Sequence, residues 1–494
     1  MANKQEAYDL IVIGGGPAGT PVAIEYAKLN KDKRIALIDS LGELGGECLF
    51  QGCIPSKIMG ASAKHIQDLK SLKEFGVTLD NNHYQLTWKK IKQRKHDILS
   101  KRTGAAKILA ESVGNIDIIK ARASFESDSS IKVAYENGDS KIFNFDRAVI
   151  ATGSRARIAQ YTGDAVDRIL TNEQFFSDMK LVKSLSIIGD GPIAIEFAQI
   201  LSNLGVNINL FVWGDNILEN IDKEASSYLL ENLQKSSHIN VLLNATVQEI
   251  NHAKQGRLSI NYEQNGELKN LVSDEILSAI GRIANLEHLN LEKAHVKWSN
   301  KGIVASKALQ TTNKKVFANG DVVEGFPKFA HTAQYAAHIL AQNLFLEHSF
   351  FKPSFNKNAW VLFSMPNVAM AGLSKEEALQ QGLSIVEGKF AFETEAKSQI
   401  EKEDTGYLKF IVEKKSQKII GISILHDEAN AIAGEAALIV AQQLTLKDLV
   451  NTIHPHPTIS ESFTVLAKTM LGEIMLKKLE NPVIRKLIEI ERFL

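Results

Sequence analysis

The two cysteines of this chain, Cys48 and Cys53, lie five positions apart in a glycine-rich segment. Thiols this close can open and close a disulfide, a two-electron reaction, although cysteines are often inert apolar side chains. A regular helix would not join them, because five residues rise about 7.5 Å and turn about 140°, whereas disulfide-bonded Cα atoms usually lie within about 7 Å. Gly52 and Pro55 therefore predict a distorted first helical turn that brings the sulfurs together. The pKa of a thiol falls at a helix N-terminus, which favours a redox-active pair over a structural crosslink.

The composition restricts the class of protein in which such a dithiol could act. The chain has 494 residues, of which 44% are apolar and 23% charged, and its formal net charge is zero. These values are typical of a globular protein with about three or four domains, and they give no electrostatic reason to expect nucleic acid. There is no apolar run of about 18 residues and no apolar leader, so we expect no transmembrane segment and a cytoplasmic location. In that reducing compartment a closed disulfide is more often catalytic than structural.

The N-terminal segment carries a dinucleotide-binding fingerprint. A strand pattern at 10–13 leads into a glycine-rich turn, a helix pattern at 20–29, a second strand at 34–38 and then Asp39. The three fingerprint glycines are Gly14, Gly16 and Gly19. Such glycines let the backbone approach a pyrophosphate at the helix N-terminus, and an acid about twenty residues further on binds a ribose hydroxyl. The surrounding pattern favours a nucleotide site over a plain glycine turn.

A second copy of this pattern lies further along the chain. A strand leads into Gly189 and Gly191, with Ala194 as a tolerated replacement for the third glycine. Val212 stands where the ribose-binding acid is expected, and Asp215 in the next loop is the alternative. Because no Arg or Lys stands there to meet a 2′-phosphate, the pattern favours NAD, with NADP as the alternative. A nicotinamide site, a second nucleotide site and a dithiol together indicate a flavin that relays electrons.

These motifs, taken in order, resemble the class I pyridine nucleotide-disulfide oxidoreductases, the FAD-dependent family that includes dihydrolipoamide dehydrogenase, glutathione reductase and mercuric reductase. The resembling segments are 14–39, 45–57, 151–154, 189–196, 279–282, 318–321 and 454–461. The resemblance implies an α/β fold of the glutathione reductase type, with two Rossmann-like nucleotide-binding domains plus an α+β C-terminal dimerisation domain. The expected parts are an FAD domain, an NAD(P) domain, a central domain completing the FAD site, a dimerisation domain and an amphipathic tail, at 1–152, 153–283, 284–350, 351–470 and 471–494.

The resemblance also implies roles for individual residues. Cys48 is expected to exchange with the substrate sulfur, and Cys53 to lie against the flavin as a charge-transfer thiolate. Lys57 and Glu196 are expected to form an ion pair near the flavin N5. The residues expected to bind FAD or NAD are Gly14, Gly16, Pro17, Ala18, Gly19, Asp39, Gly46, Lys57, Thr152, Gly153, Gly189, Gly191, Ile193, Gly281, Arg282, Gly320 and Asp321.

A C-terminal histidine motif supplies the expected acid and base. By the same resemblance His456, oriented by Glu461, protonates the departing thiol in the active site of the other subunit. A homodimer with shared active sites is therefore expected, and the bond between His456 and Pro457 is a candidate cis peptide. The neighbouring His454 and His456 could instead form a surface turn. No metal site is expected, because no cysteine or carboxylate cluster stands beside them.

Three segments between the motifs have simpler interpretations. The lysine-rich stretch 68–115 is predicted to be helical, with its basic run 88–96 on a solvated face. Segments 116–123, 131–135 and 140–145 are predicted to form a small antiparallel meander. The tail beyond 476 carries an apolar stripe that could contact the protein's own surface, a partner or a membrane, and the first of these is favoured.

Three features of the sequence bear on the choice of substrate: the absence of further cysteines and two differences from the motif of dihydrolipoamide oxidation. No cysteine follows Cys53, which disfavours the mercuric reductase and large thioredoxin reductase types because both need a second thiol pair. The histidine before His456 favours oxidation of dihydrolipoamide to lipoamide by NAD, with a lipoyl domain of a 2-oxo acid dehydrogenase complex as a candidate partner. Glu47 stands where that branch usually has Thr, and 49–51 differs from its usual loop.

The alternative is therefore an NAD(P)H-dependent reductase of another small disulfide, of the glutathione reductase type or in a branch related to mercuric reductase. A third interpretation is a docking subunit of a multienzyme complex, with the tail as the contact.

Overall fold

The computed structural model describes residues 6–78, 85–348 and 350–480. The chain divides into two compact units. The first unit contains the chain up to Ile217 together with Leu233–Pro353, and the second contains Leu218–Asn232 and the chain from Ser354 onward. The apolar stripe predicted for the tail lies outside the described residues. The five domain boundaries expected from the sequence stay predictions.

The N-terminal part of the first unit alternates strands and helices around a mostly parallel sheet. Its elements are β1 (Glu6–Ile13), α1 (Gly19–Leu29), β2 (Ile35–Asp39), α2 (Gly46–Phe50), α3 (Cys53–Ser71), α4 (Trp88–Val113), β3 (Ile116–Lys120), β4 (Arg122–Phe125), β5 (Ser130–Ala134) and β6 (Ser140–Ile150). The strand order is β3-β2-β1-β6-β5-β4, and β1 pairs in parallel with both β2 and β6. Residues 10–13 of β1 and 35–38 of β2 are buried, as expected for a parallel sheet covered on both faces.

The prediction that 116–123 forms one strand of an antiparallel meander is wrong in part. Strand β3 extends the parallel ladder, because Ile116–Lys120 pairs in register with the whole of β2. The chain then turns at Ala121, whose amide donates to the carbonyl oxygen of Asp39 at 3.0 Å. The antiparallel meander begins only with β4 and runs through β5 to β6.

The basic run 88–96 lies on α4 and most of its residues are exposed, which confirms the prediction of a solvated helix face. Several of its side chains donate to carbonyl oxygens at the C-terminal end of a short helix, α5 (Asn172–Asp178). Lys92 Nζ reaches the carbonyl oxygen of Asp178 at 2.8 Å, and Trp88 Nε1 donates to that of Met179. The last carbonyls of a helix lack intrahelical partners, so donors placed there complete the helix end.

The rest of the first unit contains a second parallel sheet and several short ladders. Its further elements, with one helix that continues from the second unit, are β7 (Ser154–Ala156), β8 (Ile169–Leu170), β9 (Ser184–Ile188), α6 (Pro192–Asn203), β10 (Asn207–Phe211), α7 (Lys223–Lys235), β11 (Ile239–Leu242), β12 (Ala245–His252), β13 (Leu258–Gln264), β14 (Glu267–Ser273), β15 (Glu275–Ser278), β16 (Arg282–Ala284), β17 (Trp298–Ser299), β18 (Gly302–Ile303), β19 (Val316–Ala318) and α8 (Ala330–Phe345). The parallel sheet has the order β11-β10-β9-β15-β8, and β12-β13-β14 form an antiparallel sheet. Strand β19 pairs in parallel with β6 and so returns the chain to the first sheet.

The second unit is an antiparallel sheet packed with helices. Its elements are β20 (Ala359–Leu362), β21 (Asn367–Gly372), α9 (Lys375–Gln380), β22 (Ile385–Ala391), α10 (Ala396–Glu401), β23 (Tyr407–Glu413), β24 (Ile419–His426), α11 (Ala429–Ala441), α12 (Leu446–Val450) and α13 (Glu461–Leu479). The strand order is β20-β21-β24-β23-β22. Sheet and helices share one apolar core, in which Phe410 of β23 stacks on Phe463 of α13 at 6.0 Å between ring centroids.

The fold class predicted from the sequence is confirmed by these elements: two Rossmann-like parallel sheets and an α+β C-terminal region. Short 3-10 turns occupy Leu72–Phe75, Val166–Arg168, Lys254–Gly256, Leu291–Ala294 and Phe392–Thr394. Among the helices described, none combines the length and apolar character needed to cross a membrane.

Candidate active site

The two cysteines lie on consecutive helices that meet at a sharp break. Cys48 is within α2, and Cys53 is the first residue of α3. The break falls at Gly52, whose φ of −136° and ψ of −107° lie outside the helical region. A helix boundary, rather than a distorted turn within one helix, therefore brings the sulfurs together. Both cysteines are free thiols, and their side chains hydrogen-bond to each other.

The hydrogen bond makes the two thiols unequal. It raises the pKa of Cys48, with burial acting in the same direction, so Cys48 keeps its proton. The same bond lowers the pKa of Cys53 to about 7, and the positive charge of Lys57 adds to that effect. Cys48 is half-buried and Cys53 is exposed. Near neutral pH the thiolate therefore resides on Cys53, at the N-terminus of α3, where the helix dipole favours a negative charge.

An ion pair lies one helical turn beyond Cys53. Lys57 Nζ is 2.6 Å from a carboxylate oxygen of Glu196, and the side chains are 33% and 12% exposed. Lys57 is on α3 and Glu196 on α6, and these helices pack against each other where Gly60 faces Ile200. A Cβ at Gly60 would meet Ile200 at 3.5 Å. The two residues predicted to pair are therefore together in the structure, and their position beside a flavin stays a prediction.

The first glycine turn has no room for a side chain at Gly14 or at Gly46, which packs against it. Gly14 has a φ of +111°, and a Cβ there would lie 2.3 Å from the carbonyl oxygen of Ala151. A Cβ on Gly46 would lie 2.7 Å from the Cα of Gly16. Asp39 stands beside this turn and accepts a hydrogen bond from the Gly15 amide at 2.8 Å. Bare backbone next to a carboxylate is the arrangement that a nucleotide pyrophosphate and ribose require.

The second glycine turn repeats the construction of the first. Gly189 has a φ of +134°, and a Cβ there would lie 2.4 Å from the carbonyl oxygen of Ala279. Gly191 caps α6 and faces open space, so a ligand can approach its backbone. Val212 is fully buried, whereas Asp215 in the following loop is exposed. The structure thus leaves Asp215 free to serve as the acid of this turn, and the choice of nucleotide stays a prediction.

Asp321 lies just beyond the end of β19 and binds Ser154, the first residue of β7. Its Oδ2 accepts a hydrogen bond from Ser154 Oγ at 2.6 Å. Gly320 precedes it with a φ of +81°, and a Cβ there would lie 2.8 Å from the Cβ of Ala18. Segments predicted to contribute to one FAD site, near residues 18, 154 and 321, are therefore adjacent in the structure.

The C-terminal histidines of the second unit have separate environments. His456 Nδ1 lies 3.0 Å from Glu461, its side chain is 72% exposed, and the peptide bond to Pro457 is cis. The amide of Thr458 donates to Glu461 and, together with His456, lowers the pKa of that carboxyl group. His454 is buried instead, between Glu435 at 2.6 Å and Thr464 at 2.7 Å. His456 is therefore the histidine that can reach solvent or a second molecule.

No group of three or more His, Cys, Asp or Glu side chains among the described residues is arranged to hold a metal ion.

Two residues beside the dithiol were not assigned a role from the sequence. Glu47, a departure from the usual Thr, forms an ion pair with Arg282. Asn172 donates to both Glu47 and the carbonyl oxygen of Gln51. The unusual acid at position 47 was the only sequence signal, because its partners lie 125 and 235 residues away along the chain.

Comparison with known proteins adds the family context. Residues 8–337 match the family model of the pyridine nucleotide-disulphide oxidoreductases, and residues 358–467 match the dimerisation domain of the same family. Dihydrolipoyl dehydrogenase from Bacillus subtilis is 30% identical over 466 residues, which cover 94% of this chain and 96% of that protein. Dihydrolipoyl dehydrogenase from Buchnera aphidicola of the aphid Acyrthosiphon pisum is 32% identical over 474 residues, covering 96% and 98%. That from Geobacillus stearothermophilus is 30% identical over 467 residues, covering 94% and 96%.

Proposed function

Because the chain belongs to the pyridine nucleotide-disulphide oxidoreductase family, we propose that this oxidoreductase converts dihydrolipoamide to lipoamide, with bound FAD and with NAD as the electron acceptor. The observation that carries the proposal is the hydrogen-bonded pair of Cys48 and Cys53, with the thiolate favoured on Cys53. The name shared by the relatives supports the choice of dihydrolipoamide. A lipoyl domain of a 2-oxo acid dehydrogenase complex is the proposed macromolecular partner.

The residues around the first glycine turn fit FAD. The backbone at Gly14, Gly19 and Gly46 leaves no room for a Cβ, and Asp39 supplies a carboxylate for a ribose. Gly189 and Gly191 offer an equivalent turn for NAD, with NADP as the alternative. When bound, FAD supplies a two-electron carrier that accepts electrons from the dithiol and passes them to the nicotinamide as hydride.

The thiol chemistry begins from a closed disulfide between Cys48 and Cys53. A substrate thiolate attacks Cys48 Sγ, a substrate–Cys48 bond forms, and Cys53 departs as a thiolate. The low pKa of Cys53 makes it the better leaving group. The second substrate thiolate then attacks the substrate sulfur of that mixed disulfide, so cyclic lipoamide forms and Cys48 departs. Two electrons reach the dithiol, and of the two substrate protons one ends on Cys48.

His456 is the proposed acceptor of the other proton. Its Nδ1 is held by Glu461 at 3.0 Å, which leaves Nε2 directed away from that carboxylate. The exposure of the ring suits a group that acts on a second subunit. In a homodimer of this chain, the partner's His456 would complete the site around Cys48 and Cys53.

Steady-state kinetics of the FAD-loaded protein tests this proposal. We expect kcat/KM for dihydrolipoamide with NAD to exceed by at least about a hundredfold that for oxidised glutathione with NADPH, since a site built for one substrate rejects poorly matched ones by such factors. Cys48→Ser serves as the matched inactive control. Absence of dihydrolipoamide turnover by an FAD-loaded dimer would overturn the proposal.

A second candidate, reduction of a carboxylate-bearing disulfide by NAD(P)H, is favoured by one observation. The Cys53 hydrogen bond and burial raise the pKa of Cys48, and the positive charge of Arg102, an exposed residue on α4, acts in the opposite direction. A cation there would attract an acidic disulfide such as oxidised glutathione. The kinetic comparison above distinguishes the two, because this candidate predicts the opposite preference.

A further inference from the structure

Glu47, the residue before Cys48, is hydrogen-bonded by two other side chains. Its carboxylate accepts hydrogen bonds from both terminal nitrogens of Arg282, one of them at 2.7 Å, and from Asn172 Nδ2 at 2.8 Å. The Arg282 and Glu47 side chains are only 18% and 25% exposed. Two parallel hydrogen bonds between a guanidinium and a carboxylate fix orientation as well as distance.

Asn172 also binds the C-terminal end of α2. The same Nδ2 group donates to the carbonyl oxygen of Gln51 at 2.7 Å. Asn172 is 5% exposed and is the first residue of α5, where Thr171 and Gln174 form a capping box. Its side chain is therefore set by a fixed helix end. Glu47 and Gln51 flank Cys48, so Asn172 holds the short helix α2 at both ends.

Arg282 continues the connection away from the dithiol. Its Nε donates to Ser154 Oγ at 2.8 Å, and one terminal nitrogen donates to the Ser154 carbonyl oxygen at 2.7 Å. Ser154 Oγ in turn donates to Asp321 Oδ2 at 2.6 Å. An unbroken chain of hydrogen bonds thus joins the residue before Cys48 to Asp321. We call these residues the Glu47 network: Glu47, Asn172, Arg282, Ser154 and Asp321.

We propose that Glu47 and Asn172 are positioning residues that fix Cys48 relative to Cys53 and to the FAD site, through the Glu47 network. Closing a disulfide demands a narrow range of Cα separation and side-chain direction. The break at Gly52 separates the two helices, so helical hydrogen bonds do not fix α2 relative to α3, and the network holds α2 at both ends instead. The inference rests on the proposed function only in requiring that the dithiol exchanges electrons with bound FAD, whichever disulfide is the substrate.

The test compares Glu47→Gln and Asn172→Ala with wild type and with Glu43→Gln in the FAD-loaded protein. Glu43 is an exposed acid four residues before Glu47 and serves as the matched control. We expect both network variants to lose about tenfold or more in dihydrolipoamide turnover, since small displacements of reacting groups have effects of that size. Reduction of ferricyanide by NADH needs the flavin but not the dithiol, and it should stay within about twofold of wild type because its reacting groups are not displaced.

The thiolate–flavin absorption band supplies a readout that needs no disulfide substrate. We expect the midpoint pH of this band to shift in Glu47→Gln and Asn172→Ala and to stay unchanged in Glu43→Gln. A band and turnover equal to wild type in both network variants would overturn the inference, as would a parallel loss of turnover and ferricyanide reduction. If Glu47→Gln fails to bind FAD, Asn172→Ala decides alone. If wild type does not turn over dihydrolipoamide, the proposed function fails, yet the band still tests the network.

Discussion

At the scale of single residues, the inequality of the two thiols supports the different tasks proposed for them. Cys48 donates the hydrogen bond and keeps its proton, and Cys53 carries the charge beside Lys57. A protonated, half-buried thiol is a poor partner for a flavin but a good one for disulfide exchange once its proton is removed. The order of the cysteines along the chain alone does not determine this division, which follows from their hydrogen bond and from the position of Lys57.

The thiol assignment leads to a prediction for Cys48→Ala. This variant should lose disulfide turnover and keep the long-wavelength thiolate–flavin band. Because the Cys48 hydrogen bond is the main cause of the low pKa of Cys53, the midpoint of the band should rise above about 7. The band appears above the pKa of Cys53 and is lost below it, since only the thiolate contributes. A spectrophotometric pH titration of the FAD-loaded variant measures this shift.

Cys53→Ala is the control for that experiment and should show no band at any pH. Loss of the band in Cys48→Ala with retention in Cys53→Ala would reverse the two roles. An unchanged midpoint in Cys48→Ala would instead assign the low pKa of Cys53 mainly to Lys57.

At the scale of elements, α4 stabilises the C-terminal end of α5. Trp88 Nε1 donates to the carbonyl oxygen of Met179, which ends α5 in a left-handed conformation with a φ of 42°. Lys92 and Lys95 bind two neighbouring carbonyl oxygens. Since α5 begins with Asn172, this contact also stabilises the helix that positions Asn172 against α2.

We expect Trp88→Phe to destabilise the protein by about 1 kcal/mol, the typical net contribution of one hydrogen bond. Phe keeps an aromatic ring at this half-buried position and removes the indole N–H that binds Met179. Urea denaturation monitored by far-UV circular dichroism, rather than by tryptophan fluorescence, measures the change. The control is Lys89→Ala: Lys89 is an exposed neighbour on the same helix, and its loss should leave the transition unchanged. A transition for Trp88→Phe that coincides with wild type would mean that solvent satisfies the Met179 carbonyl equally well.

Local rules explain which elements could be predicted from the sequence. The two glycine turns could be predicted because a strand, glycines at fixed offsets and a helix occur within one short segment. The helix that follows Cys53 and the carboxylate beside His456 were equally local. Strand β3 was misassigned because its parallel partner β2 is remote along the chain, and composition does not distinguish parallel from antiparallel pairing at a sheet edge.

The Glu47 network could not be predicted, because its contacts depend on tertiary structure. Arg282 was expected to bind a cofactor from its motif, and Glu47 was known only as an unusual residue. Their pairing joins positions 235 residues apart. The contacts of the basic run 88–96 with α5 could not be predicted for the same reason, since nothing local indicates that carbonyl oxygens of α5 lie within its reach.

At the scale of the whole molecule, the proposed shared active site can be tested with mixed dimers. Cys48→Ser and His456→Ala should each inactivate a homodimer. If the histidine acts across the dimer, a mixed dimer keeps one intact site, made of Cys48 from one subunit and His456 from the other. Random mixing of the two variants should then restore about a quarter of wild-type turnover, since half of the dimers are mixed and each has one working site of two.

Two tagged variants, coexpressed and purified through both tags, provide the mixed dimer directly. Its activity should be about half that of wild type, because one of two symmetry-related sites is intact. If His456 served the thiols of its own chain, neither subunit would hold an intact pair, and the mixed dimer would be as inactive as its parents.

The shared construction of the two glycine turns gives each proposed nucleotide site its own reporter. The amides of Ala151 and Ala279 donate to the carbonyl oxygens of Ile13 and Ile188, each at 2.8 Å. The carbonyl oxygens of the same two alanines cover the first glycine of each turn. An amide exchanges with deuterium only when its hydrogen bond opens, and a bound nucleotide holds its turn closed. One hydrogen-exchange experiment can therefore follow the occupancy of the two sites separately, through a single alanine in each.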